Sequence, residues 1–333
     1  MIPVPSAVSF FGAAALGAVA LGAVAFAAAA AHVLTSGATR PADPADPWRA
    51  ARHYHRVDRH LRHEPPPFRA FRHLFAKFEP QLLRLGNFAV KAFAGHARGF
   101  PGPARVIPLV FGWFVKLLFG SEVYALEEVE AILRNLDRRY EFSVISRGVC
   151  PCRKGLGKFS RRLPNATDFQ ILAHARVYPR VHPDYHPIPL DRALDFIRQF
   201  DRLGLVHCAF GVCGLEGSEV AVCNCHASVC FPLRAHVVGL YRLTPGRHVA
   251  VVDPSRCDPA CRQRDRCVTI CQFRARSVGD SGVVEVDGDK CAGCGVCRNP
   301  CARGATKLVP RQGELLGRRR RRLFPPELLT PHA

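Results

Sequence analysis

The sequence predicts an α+β protein with an apolar N-terminal helix, a mixed α/β middle domain and a small cysteine-rich domain near the C-terminus. Its 333 residues are enough for two or three units that each bury a core. None of the 15 cysteines precedes Cys150, which confines any thiol chemistry to the second half of the chain. Lys and Arg outnumber Asp and Glu by 47 to 27, so we expect an anionic partner such as lipid, nucleic acid or an acidic protein.

Shifts in composition divide the chain into parts. In chain order they are a transmembrane anchor (1–39), a basic, aromatic-rich membrane-proximal region (40–120), a middle domain with a cysteine-rich metal site (121–250), a cysteine-rich C-terminal domain (251–310) and a basic tail (311–333). The cysteines fall only in the middle and C-terminal domains, whereas the longest apolar run precedes both.

The N-terminal part is apolar enough to cross a membrane. No residue from Met1 to Gly37 is charged, and the run from Val8 to Leu34 exceeds the ~20 residues that span a bilayer. A cleaved secretory signal is the alternative, but such signals normally begin with basic residues, whereas the first arginine here is Arg40. We therefore expect an uncleaved membrane helix, with the bulk of the chain cytoplasmic because basic flanks stay on that side.

The region 40–120 is basic and rich in phenylalanine. Four phenylalanines recur at steps of three and four residues, on one face of a predicted helix. They are Phe68, Phe71, Phe75 and Phe78. A basic helix with such a stripe is suited to a membrane interface, and an ordinary core face is the alternative. A second apolar run, Val106 to Gly120, is interpreted as an interfacial segment, with a second transmembrane helix as the alternative.

The middle domain combines helix and strand patterns with two Cys-x-Cys pairs. One helix is predicted from an N-cap at Ser121 to about Arg139, a strand over Tyr140 to Ile145, and a second helix from about Leu190 to Leu203 with Gly204 at its end. The paired cysteines are Cys150, Cys152, Cys223 and Cys225. A pair from each of two distant segments is suited to clamping one metal ion or cluster, and buried cysteines without metal are the alternative.

The strongest pattern in the chain lies in the C-terminal domain. It is Cys291-x2-Cys294-x2-Cys297-x3-Cys301. Three thiolates on one tight loop can reach three irons of a cube, while a fourth thiolate further along ligates a different cube. A looser block precedes it, with Cys257, Cys261, Cys267 and Cys271. Zinc in a nucleic-acid-binding protein is the alternative interpretation, but zinc sites use cysteine pairs separated by a long stretch, so a nucleic-acid partner is not expected.

From about Val251 to Pro310 the chain resembles the bacterial two-cluster 4Fe–4S ferredoxins. The blocks end alike, in Cys271-Gln-Phe-Arg-Ala275 and Cys301-Ala-Arg-Gly-Ala305, and the stretch Val283 to Gly288 predicts a strand and turn between two half-units. The resemblance implies a ferredoxin-like domain with two 4Fe–4S clusters, in which the two blocks exchange their last cysteine. One cluster would be held by Cys257, Cys261, Cys267 and Cys301, and the other by Cys271, Cys291, Cys294 and Cys297.

Two features separate this chain from the usual ferredoxin pattern. Gln272 and Ala302 replace the proline that usually follows each fourth cysteine, and the first block is more widely spaced. Further upstream, the segment from about Leu126 to Arg234 is similar to a group of 4Fe–4S ferredoxin-domain proteins with Cys-x-Cys elements. The shared elements are Cys150-Pro-Cys152-Arg153, Gly204-Leu-Val-His207 and Cys223-Asn-Cys225-His226. This similarity implies the same architecture and an electron-transfer role.

The predicted function is the transfer of single electrons at the cytoplasmic face of a membrane. Arginines at 262, 264, 266, 298 and 303 flank the cluster cysteines, so we expect an acidic or membrane-bound redox donor and acceptor. An oxidoreductase subunit with an active site at the middle cysteines is the alternative. The sequence shows no nucleotide-binding loop, no carboxylate pair and no nucleophile with an adjacent base, so catalysis would depend on those cysteines alone.

Overall fold

The computed structural model describes most of the chain that follows the predicted membrane anchor. The described residues are 66–94, 119–139, 145–212, 219–261, 264–311, 323–324 and 328–329. All of them lie within one compact unit, Tyr54–Ala333, and the predicted anchor (1–39) falls outside them. Within these ranges, no helix is both long enough and apolar enough to cross a membrane.

The described helices and strands alternate along the chain. They are α1 (Pro66–Ala94), β1 (Phe119–Tyr124), α2 (Leu126–Arg139), β2 (Ile145–Gly148), α3 (Pro151–Leu156), β3 (Asp168–Leu172), α4 (Ala173–Val181), β4 (His186–Pro187), α5 (Leu190–Arg202), β5 (Val206–Val212), β6 (Glu219–Cys225), α6 (Phe231–Val237), β7 (His248–Val252), α7 (Arg264–Thr269), β8 (Arg276–Val278), β9 (Val284–Val286), a 3₁₀ helix (Val296–Arg298) and β10 (Thr306–Pro310). The predicted mixed α/β class is therefore confirmed for this part of the chain.

An antiparallel sheet with strand order β1-β5-β6-β3-β2-β4 organises the middle domain. Side chains alternate between its two faces. One face packs on α2 and α5, where Val220 and Val222 meet Leu133 and Ile197 in a buried apolar core. Burial stabilises the fold by roughly 25 cal/mol per Å² of apolar surface. Because a slip of one residue would turn these side chains to the opposite face, their burial fixes the register of the sheet.

The opposite face of the sheet carries cysteines. The register places Cys208 of β5 and Asp168 of β3 beside Cys223 of β6, so the three side chains share this face. Cys225 lies two residues after Cys223 and points the same way. Leu233 of α6 packs over this face, as does part of the C-terminal domain.

The C-terminal domain consists of two similar halves. The first half is β7-α7-β8 and the second is β9-3₁₀-β10. The halves pair with each other, the first strand β7 with the last strand β10, and the inner strands β8 and β9 together. The strand predicted within Val283 to Gly288 is confirmed as β9. The loop before the 3₁₀ helix approaches β7 so closely that a Cβ on Gly293 would lie 2.1 Å from the carbonyl oxygen of His248, and Gly293 has φ +74°. Only glycine fits there.

The start of the first middle-domain helix differs from the prediction. Ser121 lies in β1, opposite Phe210, and α2 begins at Leu126. The backbone N–H of Ala125 donates to the Glu128 carboxylate at 2.9 Å, which caps the helix in place of the predicted serine. The sheet register takes precedence over the local capping preference of Ser121, because β1 pairs with β5 along its whole length.

The second predicted helix is confirmed as α5, which ends just before Gly204 at φ +79°. Its predicted inward residues are all buried. They are Ala193, Leu194, Ile197 and Phe200. Of the predicted strand Tyr140 to Ile145, the structure describes only the last residue, which begins β2.

Helix α1 continues through Pro80, which has no backbone N–H to bond to the carbonyl of Ala76. That carbonyl instead lies 2.8 Å from Nε2 of His182, at the end of α4. The replacement bond joins two helices that are distant in sequence and allows a proline inside α1.

Helix α1 has a buried side and an exposed apolar row. Ala76, Asn87 and Val90 are buried. The exposed row consists of Leu74, Phe78, Leu82, Leu85 and Phe88. Of the predicted stripe, Phe78 belongs to this row, Phe75 is half-buried, and the side chains of Phe68 and Phe71 lie outside the described set.

Candidate iron–sulfur centres

One predicted cysteine quartet lines a single apolar cavity. Its members are Cys271, Cys291, Cys294 and Cys297. Ala250, Phe273, Val286 and Arg276 also line this cavity. Two backbone N–H groups point at the sulfurs, from Ala250 to Cys291 Sγ at 3.4 Å and from Ala275 to Cys271 Sγ at 3.3 Å. Such donors are typical of cluster ligands, so this quartet suits a 4Fe–4S cluster.

The other predicted quartet also assembles in space. Burial raises the pKa of the Cys267 thiol, and the nearby thiols of Cys301, Cys261 and Cys257 raise it further by repulsion. Cys301 accepts backbone N–H groups from Ala305 at 3.2 Å and Thr306 at 3.4 Å. Although burial opposes it, these bonds lower the pKa of Cys301 below its ordinary value. The wider first block thus still brings its cysteines to Cys301.

A buried arginine lies between the two quartets. Arg276, in β8, is 7% exposed, and its charge favours the thiolate forms of Cys267, Cys301 and Cys297. Burial nevertheless raises the pKa of Cys297 to about 11. One guanidinium nitrogen donates to the Thr306 hydroxyl at 3.0 Å, while the buried Nε and Nη1 have no hydrogen-bond partner among the described residues. A buried cation with free donors fits a site that holds negative charge when it is filled.

The sequence pattern did not point to Arg276 as the cation near the clusters. It pointed to the five arginines at 262, 264, 266, 298 and 303. Of those, Arg298 is paired with Glu127 at 2.8 Å and Arg303 with Asp258 at 2.7 Å. Both therefore form surface ion pairs with this chain's own carboxylates. Arg276 carries no signature in the sequence apart from its place directly after the Cys271 half-unit ending, because only the fold turns it inward.

The four middle-domain cysteines predicted to share a site lie together, and Cys230 joins them. Hydrogen bonds link Cys150 to Cys152, Cys152 to Cys230, Cys230 to Cys225, and Cys225 to Cys223. The charge of Cys150 also acts on Cys223, so the two ends of this series of thiols lie near each other. Every member has a raised pKa, and a hydrogen bond with Cys208, together with burial, raises that of Cys225 to about 12. These five thiols are called the cysteine ring below.

The sheet positions two members of the ring and short loops position the others. Cys223 and Cys225 end β6, where the register places Cys223 beside Cys208. Cys150 and Cys230 directly precede α3 and α6, each of which has a proline in its first turn. No pattern in the sequence pointed to Cys230, because its distance from the Cys-x-Cys pair follows only from the turn after β6.

The cysteine ring adjoins the C-terminal quartet that contains Cys294. Cys208 is fully buried, hydrogen-bonds Cys225 and interacts with the charge of Cys294. Gln272 bridges the same boundary, since its amide contacts the backbone of Cys225 and of Ala227. The replacement of the usual proline by glutamine is thereby explained, because a proline could make neither contact.

Polar contacts hold the two domains at this boundary. The Asn299 side chain donates to Asp201, to its carbonyl at 2.6 Å and its carboxylate at 2.9 Å. His207 lies on the other side of that carboxylate, with its Nε2 3.6 Å from Oδ1. Although burial opposes it, the proximity of His207 lowers the pKa of Asp201. Polar contacts therefore fix the relative position of the two domains at this boundary, in addition to apolar packing.

No group of three or more His, Cys, Asp or Glu side chains in the described ranges is arranged to hold a single metal ion. A 4Fe–4S cluster is larger and takes its thiolates at separate corners of a cube. The arrangement that it requires is four thiols around a shared space, which the cavity lined by Cys294 and its partners provides.

Comparison with known proteins gives one short similarity. A segment of 60 residues is 33% identical to a subunit of the Na(+)-translocating ferredoxin:NAD(+) oxidoreductase complex of Acetobacterium woodii. The matched segment is 18% of this chain and 18% of that protein, so the chain matches less than a fifth of the relative's length. No family model matches the chain, and no solved structure matches it.

Proposed function

We propose that this chain is an iron–sulfur electron-transfer protein with two 4Fe–4S clusters in its C-terminal domain. The observation that carries the proposal is the apolar cavity lined by the quartet of Cys294, with Arg276 between it and the quartet of Cys301. The short similarity to one component of a ferredoxin:NAD(+) oxidoreductase complex supports a role in electron transport. The donor and acceptor are proposed to be acidic or membrane-bound redox proteins.

The chain's own residues have three roles in this function. A bound 4Fe–4S cluster takes up and releases one electron at a time. The two quartets hold the clusters, and Ala250, Phe273 and Val286 supply apolar contacts around one of them. Arg276 and the backbone N–H groups oppose the negative charge at the thiolates, which favours the reduced state.

Cluster content tests the proposal directly. The full chain, purified without oxygen, is expected to contain at least about eight irons and eight sulfides, four for each C-terminal cluster. Cys294→Ser should remove about four irons and change the low-temperature electron paramagnetic resonance spectrum of the dithionite-reduced protein, because one quartet loses a ligand. Cys208→Ser is the matched control, since Cys208 is a fully buried neighbour of Cys294 outside both quartets. Full iron content in Cys294→Ser would contradict the ligand assignment.

We further propose that the chain works at a membrane surface. The exposed apolar row of α1 is flanked by the exposed cations Lys77, Arg84 and Lys91. This combination suits an interface of acyl chains and anionic head groups. A contiguous row of large apolar side chains exposed to water is typical of an interaction surface.

A fluorescent reporter tests the orientation of α1 in the full chain. Phe88 is 69% exposed on α1, and Phe159, on the loop after α3, is 60% exposed. The wild-type spectrum is subtracted first, because the full chain has two native tryptophans. In lipid nanodiscs with anionic head groups, the remaining emission of Phe88→Trp should shift to shorter wavelength relative to zwitterionic discs, whereas that of Phe159→Trp should not. Equal spectra of Phe88→Trp in both lipids would reject the interfacial position of α1.

A further inference from the structure

We propose that Cys150, Cys152, Cys225 and Cys230 hold a third iron–sulfur cluster, beside the C-terminal cluster that Cys294 ligates. This inference deepens the proposed electron-transfer function and rests on it. It revises the predicted ligand set by replacing Cys223 with Cys230, which the sequence did not single out.

The cysteine ring has the contacts of a cluster site. Cys152 accepts the backbone N–H of Phe231 at 3.5 Å, and the backbone N–H groups of Arg153 and Leu233 favour the thiolates of Cys150 and Cys230. The C-terminal quartets accept the same kind of bond, for example at Cys291 and Cys301. A thiol that accepts an N–H bond is oriented as a thiolate ligand is, with its lone pairs stabilised by the protein.

Cys223 differs from the other members of the ring. Its thiol donates to Oδ1 of Asp168 at 2.7 Å, on the neighbouring strand. Asp168 is fully buried and also accepts from the Tyr185 hydroxyl at 2.6 Å and from the Gln170 amide. A hydrogen-bonded network of this kind uses the Cys223 proton, so Cys223 serves as a neighbour of the cluster and the four remaining thiols as its ligands.

A buried cation next to the ring requires a negative partner. Arg153 is 3% exposed, and within the part of the chain that the structure describes its guanidinium has one hydrogen bond, to the Lys158 carbonyl at 3.5 Å. It forms no salt bridge with any carboxylate in the described residues, and its charge acts on His226, next to Cys225. A buried guanidinium without an opposite charge is costly, and four thiolates around an iron–sulfur core supply that charge. Arg153 thus corresponds to Arg276 in the C-terminal domain.

The position of the ring explains why a third centre would be useful there. Cys208 lies between Cys225 and Cys294, and Gln272 ties the segment that follows Cys271 to the backbone of Cys225. A ligand of the proposed cluster and a ligand of the C-terminal cluster are therefore separated by one buried side chain. Six thiols thus lie close together at this boundary, four of them buried: Cys152, Cys208, Cys225 and Cys230.

Iron counting on the full chain tests the inference independently of any variant. Wild-type protein reconstituted without oxygen is expected to bind about twelve irons and twelve sulfides, four per cluster. About eight irons would overturn the third cluster and leave the proposed function standing. Fewer than about four irons would overturn the proposed function itself. Zinc bound to the ring cysteines, or a disulfide among them in the anaerobic protein, would also overturn the third cluster.

Two variants separate the ligand set from its neighbours. Cys230→Ser should lose about four irons and keep the spectroscopic signal of the C-terminal clusters. Cys223→Ser, the matched control in the same ring, should keep the full iron content of the wild type. The reverse pattern would overturn the replacement of Cys223 by Cys230. Circular dichroism of each variant checks folding, and the wild-type iron count remains decisive where a variant does not fold.

Discussion

Glu79 gives the sharpest prediction on stability, because its carboxyl lies among acidic and phenolic groups. Burial, and secondly the charge of Asp168, raise its pKa from 4.5 to about 8. Tyr178 donates its hydroxyl to Oε2 of Glu79 at 2.6 Å and, with Lys154, only partly offsets this rise. The side chain is therefore protonated in the folded protein across most of the neutral range.

The magnitude follows from the two pKa values. A carboxyl with a higher pKa in the folded state contributes stability that is complete below the unfolded value and is lost as pH rises to the folded value. The interval from 4.5 to about 8 corresponds to about 5 kcal/mol at about 1.4 kcal/mol per unit. Because the residue is only half-buried, we expect about half of this, so about 1–2 kcal/mol is lost between about pH 6 and pH 8.

The substitution Glu79→Gln should remove this loss, because the amide is neutral and its oxygen still accepts from Tyr178. The assay is thermal unfolding followed by circular dichroism, with wild type and variant at equal cluster content and equal scan rate. The Tm of the variant should exceed that of wild type by about 2–8 °C more near pH 8 than near pH 6. Glu285→Gln, at an exposed glutamate of β9, is the control. A Tm difference that does not change with pH would refute the reasoning.

Three further predictions follow from single contacts. Gln272→Pro, which restores the usual ferredoxin residue, should lower the free energy of unfolding by about 1–3 kcal/mol, because the amide contacts to Cys225 and its neighbours are lost. The measurement is the Tm at unchanged cluster content, and an unchanged Tm would contradict the prediction. Gly155→Ala should loosen α1 from α3, since the new Cβ would lie 2.1 Å from the Pro80 carbonyl oxygen, and faster proteolysis within α1 is the measurement; wild-type resistance would count against it. Arg276→Gln should lower the midpoint potentials of both C-terminal clusters in a redox titration, and a change in neither would exclude its charge role.

The sequence alone determined the features that depend on near neighbours. The spacing of Cys291, Cys294 and Cys297 predicts thiolates on one loop, because ligands two or three residues apart share one local backbone geometry. The period of apolar residues predicted α5, and the valines between Val283 and Val286, followed by Asp287-Gly288, predicted the strand β9. Each is a property of a few adjacent residues, so no knowledge of the rest of the chain was required.

Only the tertiary structure decided the features that depend on residues far apart in the chain. The register of the sheet places Ser121, the predicted helix cap, in strand β1, and it places Cys208 and Cys223 side by side. The packing of α6 brought Cys230 into the cysteine ring, and the turn into β8 directed Arg276 inward. Such placements arise from long-range strand pairing and burial, whose energies are summed over the whole fold, and no local spacing in the sequence records them.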